Sequence, residues 1–156
     1  MDKDEFSRRI IAMLPVLHRI AWSQLRQAAD REDAVQETIR LAWEKRERLR
    51  EDRYMQTWVI RILLNVCDTM RRRAGRMQTA AYLPEREAGL MPDTPLLDAM
   101  MQLDEKYRLP LQLYYVEAYS LAEVARMLRL PQGTVKSRMS RGRERLRLLL
   151  KEEVFE

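Results

Sequence analysis

The chain has 156 residues, a formal net charge of +5 and a single cysteine. That length holds one ordinary domain or two small ones, and the basic balance points to a polyanionic partner. One cysteine excludes an internal disulfide and fits a reducing, intracellular compartment, while the apolar run Ile10 to Leu17 is interrupted by Pro15 and too short to cross a bilayer, so neither signal peptide nor membrane insertion is expected.

Strand-type alternation is absent and apolar residues recur at threes and fours, so the fold class is all-α, with two small helical domains. In the first domain, residues 1–73, helices are expected at Asp4–Leu14, Val16–Gln27, Arg31–Arg48 and Arg53–Arg73. Asp30 is placed to cap the third, whose apolar stripe is Val35, Ile39, Ala42 and Trp43. Its other face carries Asp33, Gln36, Glu37, Arg40 and Glu44, which periodicity alone leaves as a solvated surface.

In the fourth helix, at about 100° per residue, Met55, Val59, Leu63, Val66 and Met70 form one apolar stripe. Tyr54, Trp58, Arg61, Asn65 and Arg72 form a second, roughly opposite. A stripe mixing aromatic rings, an amide and cations suits single-stranded DNA, because bases stack on rings, phosphates pair with cations and a flipped base needs a short hydrogen-bonding group at its edge. The same pattern also fits a wide core containing Trp58 and an internal ion pair made by Arg61. Arg71, Arg72 and Arg73 complement the helix dipole and equally suit a DNA backbone.

Between Ala74 and Leu96 the periodicity breaks at Gly75, Pro84, Gly89, Pro92 and Pro95, which reads as a linker over 74–96. Met77, Tyr82, Leu83, Leu90 and Met91 give it apolar points able to lie in a groove. The second domain, 97–156, contains the most informative stretch, Ser120 to Leu150. Ser120 and Glu123 make a capping box opening a short helix with Val124, Ala125 and Leu128 facing inward, and Leu130 and Pro131 stop it. Gly133 and Thr134 open a longer helix that packs through Val135, Met139, Leu146 and Leu150, with Gly142 permitting close approach. Its free side presents Lys136, Ser137, Ser140 and Arg141, small and cationic types that fit a major groove. Together these are a helix-turn-helix with a basic second helix.

The residues LHRIAWSQL from Leu17, DREDAVQETIRLAW from Asp30 and TWVIRILLNVCDTMRRR from Thr57 resemble region 2 of the bacterial extracytoplasmic-function sigma factors of RNA polymerase. The stretch Leu103 to Leu150, with its GTVKSR turn, resembles region 4. The resemblance implies promoter DNA and core polymerase as partners. Asp33, Gln36, Glu37 and Arg40 would dock on the β′ clamp helices. The loop Arg46 to Asp52 and the helix after it would capture and melt the minus-ten element, with Leu49, Ile62 and Asn65 near the flipped base and Tyr54, Trp58, Arg61, Arg71 and Arg72 on the strand around it. Thr134, Lys136, Ser137, Ser140 and Arg141 would meet the minus-thirty-five element, the packed side of region 4 would meet the β flap, and an anti-sigma factor would hold the resting state.

The chain departs from the family pattern in three places. Leu49 and Glu51 replace the aromatic and the glycine of the loop before the Thr-Trp pair, Ala118 stands where a glycine commonly closes the helix before Ser120, and Pro110 would disrupt a continuous helix. A helix-turn-helix regulator acting without polymerase is the rival reading, separated by whether the first domain offers a sensor pocket or the clamp-type face. For an enzyme the sequence shows no metal-ligand spacing, no phosphate-cradling glycine loop and no triad, so no catalytic residue, metal or cofactor is expected.

Overall fold

A computed structural model describes residues 1–75 and 94–155, with side chains described as far as Lys151. Helices and short turns account for all regular structure among the described residues, which fall into two compact units on either side of the undescribed stretch. The expected linker, including Met77, Tyr82, Leu83, Leu90 and Met91, lies almost wholly outside the described residues.

The first unit is three helices: α1 (Lys3–Gln24), α2 (Ala28–Glu44) and α3 (Met55–Gly75). The two helices expected on either side of Pro15 are one. Phe6, Ile10, Met13, Leu17, Ile20 and Ala21 are buried at heptad-like spacing along its whole length. Losing one backbone bond at a proline costs about 3 kcal/mol, whereas each buried apolar side chain contributes about 1.5–3 kcal/mol. Pro15 faces solvent, as does Ile11, whose carbonyl it deprives of a donor, so water can satisfy that oxygen.

The expected cap of α2 is also corrected. The helix begins at Ala28 after Gln27, which makes no side-chain cap bond, and Asp30 lies within the first turn, where its charge complements the dipole. The turn is organised instead by Arg31, buried, whose Nε donates to the Leu25 carbonyl at 2.9 Å and Nη2 to the Arg26 carbonyl at 2.6 Å. α2 ends at Glu44 rather than Arg48, because a single tight turn, Arg46–Arg48, breaks away from it. A second tight turn, Asp52–Tyr54, leads into α3. Met55, Val59, Leu63 and Cys67 fill the core from α3, whereas Val66 and Met70, expected to continue that stripe, are only half-buried.

The second unit opens with α4 (Pro95–Gln102), so Pro95 and Leu96, placed by the sequence in the linker, form its first turn. The Thr94 hydroxyl caps it by accepting from the Leu97 N–H at 3.1 Å. α5 (Glu105–Leu111) runs through Pro110 instead of breaking there. Tyr107, Leu109, Pro110 and Leu111 are all buried, so core packing outweighs the missing bond. The helix then widens over Gln112–Val116, where the Glu117 N–H reaches the Gln112 carbonyl, and closes with Ala118 in the left-handed region at φ 61°.

α6 (Leu121–Leu128) carries the expected capping box: the Glu123 N–H donates to Ser120 Oγ at 3.1 Å and the Ser120 N–H to Glu123 Oε1 at 3.0 Å. Val124 and Ala125 are buried as expected, but Leu128 is only half-buried, and Met127 fills the core beside them. Arg129 takes the left-handed conformation at φ 56°, the Leu130 N–H bonds the Ala125 carbonyl, and the chain turns into α7 (Gln132–Phe155). Val135 and Met139 are buried, and Leu146 and Leu150 half-buried, along one side of α7. At Gly142 a Cβ would lie 2.8 Å from Leu111 Cδ1 and 3.3 Å from Tyr107 Cβ, so α5 and α7 approach so closely there that a side chain would force its neighbours to shift.

Candidate nucleic-acid interface

In the first unit, α2 and α3 leave an open groove of about 830 Å³. Asp33, Gln36, Glu37, Arg40, Leu41 and Lys45 form one wall, and Ile62, Asn65, Val66, Thr69, Met70 and Arg73 the other. Two of the sequence-derived sets thus share one cleft: the polar face of α2, and Ile62 with Asn65. The α2 wall is tied within itself, since Arg40 donates from Nη2 to Glu37 Oε1 at 2.6 Å and from Nη1 to Glu44 Oε2 at 3.1 Å. The hydrogen bond from Arg40 holds the Glu37 carboxyl below the ordinary glutamate value.

Leu49, Tyr54, Trp58, Arg61, Arg71 and Arg72, the rest of the expected strand-binding set, are not among the residues lining this cleft. Asn65 is exposed and unobstructed, while Ile62 and Leu49 are half-buried. Trp58 is half-buried and meets the buried Phe6 edge-on at 6.5 Å, so one side of its indole belongs to the core, as the wide-core alternative requires. Tyr54, also half-buried, lies under the Arg53 guanidinium at 4.7 Å. Arg61 is half-buried. Arg71 turns toward α1 and donates to Gln24 Oε1, whereas Arg72 stays mostly exposed beside Asp68. Arg73 belongs to the arginine run that the sequence singles out, whereas sequence reasoning misses Leu41, Lys45, Val66, Thr69 and Met70 as groove residues. Their signal is the half-apolar register of Val66 and Met70, which fits a groove lip as well as a core.

In the second unit, Lys136, Ser137, Ser140 and Arg141 are all exposed on α7, opposite buried Val135, Met139 and Gly142, with Thr134 half-buried at the entrance. The Pro131 carbonyl accepts from the Thr134 and Val135 N–H groups at 3.0 and 3.1 Å, which fixes where the helix starts and therefore which residues face outward. Tyr107 of α5 lies beneath a cationic rim. Burial pushes its phenol up, but the Arg145 and Lys106 charges and a hydrogen bond from Arg141 outweigh this and bring it below the ordinary tyrosine value. Arg145 stacks 4.6 Å from its ring.

A grooved three-helix unit followed by a helix-turn-helix with a free cationic face defines a two-headed, all-helical nucleic-acid-binding protein. Sigma-70 region 2 matches residues 10–77 and sigma-70 region 4 matches residues 94–146. The sigma factor SigM of Mycobacterium tuberculosis is 34% identical over 139 residues, covering 86% of this chain and 71% of SigM. SigW of Bacillus subtilis is 26% identical over 171 residues, covering 97% and 91%. Among solved structures, the sigma factor RpoE in complex with the anti-sigma factor NepR from Bartonella quintana superposes with a TM-score of 0.78 at 26% identity, covering 94% of this chain and 97% of RpoE.

The chain belongs to the extracytoplasmic-function sigma factors of the sigma-70 family, the subunits that direct core RNA polymerase to promoters. The regulator acting without polymerase is not favoured, because the first unit is region 2 and not a sensor. Sigma factors as a family are not enzymes. No described helix is long and apolar enough to cross a membrane.

Proposed function

We propose that the two heads divide promoter recognition between an unwound strand and an intact duplex. The first head ends with α3 at Gly75, the second begins at Thr94, where α4 is capped, and the chain between them serves as the connector. Asp33, Gln36, Glu37 and Arg40 dock on the β′ clamp helices, and the packed side of the second head meets the β flap. Leu49, Ile62 and Asn65 receive a flipped minus-ten base, Tyr54, Trp58 and Arg61 flank it, and Arg71 and Arg72 add charge toward the backbone. Thr134, Lys136, Ser137, Ser140 and Arg141 read the minus-thirty-five element.

No catalytic group is required, since unpairing is offset by stacking of exposed bases on protein and by contacts the polymerase supplies. The protein acts in the cytoplasm, on the nucleoid when active, as a non-enzymatic subunit without metal or cofactor. An anti-sigma factor is its natural restraint, a reading supported by the RpoE structure, which holds one.

The observation that carries this reading is the union, in one chain, of the α2–α3 groove with an α7 whose cationic face is unobstructed. Run-off transcription with core polymerase on a promoter library randomised at both elements tests it. Selective initiation with a distinct preference at each element is the expected result. Initiation no more selective than that of core alone overturns the proposal.

A further inference from the structure

The first three turns of α1 touch the segment between α2 and α3 at both of its ends. Phe6, buried, presents its ring edge-on to Trp43 at 5.9 Å and 61°, and to Trp58 at 6.5 Å and 71°. One ring therefore braces the aromatic side chain at the end of α2 and the one at the start of α3. The outer side of Trp43 carries Arg46 at 4.2 Å, and Arg46 Nη1 also donates to the Trp43 carbonyl at 2.8 Å, which ties the first turn of the segment to that braced indole.

The far end of the segment is held from the next turn of α1. Arg9 Nε donates to Glu5 Oε1 at 2.9 Å, which fixes the guanidinium, and Arg9 Nη1 reaches across 43 positions to the Asp52 backbone carbonyl at 3.3 Å. The hydrogen bond from Arg9 and then the charge of Arg8 hold the Glu5 carboxyl below its ordinary value, consistent with a formed pair. Between these anchors the segment's own backbone bonds are local: Arg48 to Lys45, Leu49 to Arg46 and Tyr54 to Glu51. Leu49, Arg50 and Glu51 are thus suspended between two points set by α1.

We propose that Phe6 and Arg9 are positioning residues for minus-ten recognition: α1, which contributes no residue to the proposed strand-binding set, dictates how Leu49 and Trp58 are presented to the unwound strand. This rests on the assignment of the segment to the minus-ten element. Side-chain exposure of Arg9 is 42%, so removing its guanidinium leaves the core intact.

The experiment uses full-length variants assembled with core polymerase and a promoter library randomised at the minus-ten element, with hydrogen exchange measured on the same variants. Arg9→Met is expected to flatten minus-ten base preference and to speed exchange of the amides in 46–54 by about fivefold, the scale of one ordinary hydrogen bond, as suits an exposed contact of 3.3 Å. Core affinity and minus-thirty-five preference stay unchanged, and Arg9→Lys restores part of the preference. Phe6→Leu, which keeps an apolar side chain and loses the ring edges, flattens it likewise. Leu49→Ala reports on the underlying assignment. A flattened preference in Leu49→Ala with an unaltered one in Arg9→Met overturns the role of α1 and leaves the loop assignment standing. If neither changes, the assignment fails and the inference with it. A loss in Arg9→Met that merely tracks weaker core binding also overturns it.

Discussion

Replacing Gly142 and Gly133 by alanine, one at a time, sets packing against helix propensity within a single helix. In an exposed helix interior alanine is favoured over glycine by about 1 kcal/mol. Gly133 lies in the first turn of α7 with nothing within 4 Å of the point where an alanine methyl would sit, so G133A should gain a share of that, about 0.5 kcal/mol. At Gly142 the same methyl meets Leu111 Cδ1 at 2.8 Å, and Tyr107 Cβ and carbonyl oxygen at 3.3 and 3.4 Å. Leu111 is only 1% exposed, so its methyl has no open space to swing into, and the Tyr107 atoms belong to the α5 backbone or its first carbon. Overpacking of this kind costs about 1–3 kcal/mol, which exceeds the propensity gain and leaves G142A destabilised by about 1 kcal/mol. The two variants should then differ by about 1.5 kcal/mol, or about tenfold in the opening equilibrium. Native-state hydrogen exchange on the full-length chain, read at amides of α5 and α7, measures this without requiring the two units to unfold together. Equal stabilisation by both substitutions would refute the close α5–α7 approach.

Ala118, held at φ 61°, should be improved by glycine: A118G is expected to stabilise the second unit by about 1 kcal/mol, read by the same exchange experiment, because a Cβ in the left-handed region costs about that much. Glu37 is lowered by its bond to Arg40, so its folded-state contribution is present above the unfolded value and is lost as pH falls through the lower folded one. Carboxyl-detected NMR should place its midpoint below 4.5, and R40M should return it toward that ordinary value. Asn65, exposed and outside the core, is the clean probe of strand capture. N65A should lower open-complex yield while sparing the closed complex, as followed by permanganate reactivity and gel shift, and equal loss of both would remove it from the strand-binding set.

Much of this architecture is legible from spacing alone, and the failures share a cause. The capping box at Ser120 and Glu123 and the close approach at Gly142 are local signals, and both stand in the structure. Pro15 and Pro110 are local signals too, yet both are overridden by buried stripes running past them, because the cost of one missing N–H is fixed while burial accumulates with every turn. The start of α2 escapes the sequence because its organiser, Arg31, bonds backward to two carbonyls from inside the helix, and no propensity scale encodes that. For the site, periodicity separates the two faces of α3 but cannot place a groove. Whether Val66 and Met70 belong to a core or to a lip depends on how far α2 stands away, a distance fixed by tertiary packing. Only the resemblance to sigma factors gives the polar face of α2 a purpose, since its charges look like any solvated helix surface.

The distribution of charge separates how the two heads should respond to salt. In the first unit cations and acids are interspersed and several are paired: Arg8 and Arg9 with Glu5, Arg40 with Glu37 and Glu44, Arg53 with Glu51, Arg72 with Asp68. Over residues 132–151 the balance is Lys136, Arg138, Arg141, Arg143, Arg145, Arg147 and Lys151 against Glu144 alone. Duplex contact by α7 should therefore release counterions and weaken steeply with salt, whereas capture of bases by the first head, which adds stacking and Asn65 to the charges of Arg71 and Arg72, should weaken less steeply. Within α7 the two charged side chains among the five proposed to meet DNA should also differ. Lys136 is a point charge on an exposed stem, and K136A is expected to weaken binding evenly across sequences and to lower the salt slope by about 1. Arg141 has an exposed planar fork able to meet a base edge with two parallel donors, and R141A should add a base-specific loss of about 1–3 kcal/mol at one position of the upstream element. Holoenzyme affinities for single-base variants of that element, titrated at several salt concentrations, resolve both quantities. If R141A lost affinity uniformly with a slope change like that of K136A, Arg141 would be a phosphate contact, and base reading would fall to Ser137 and Ser140.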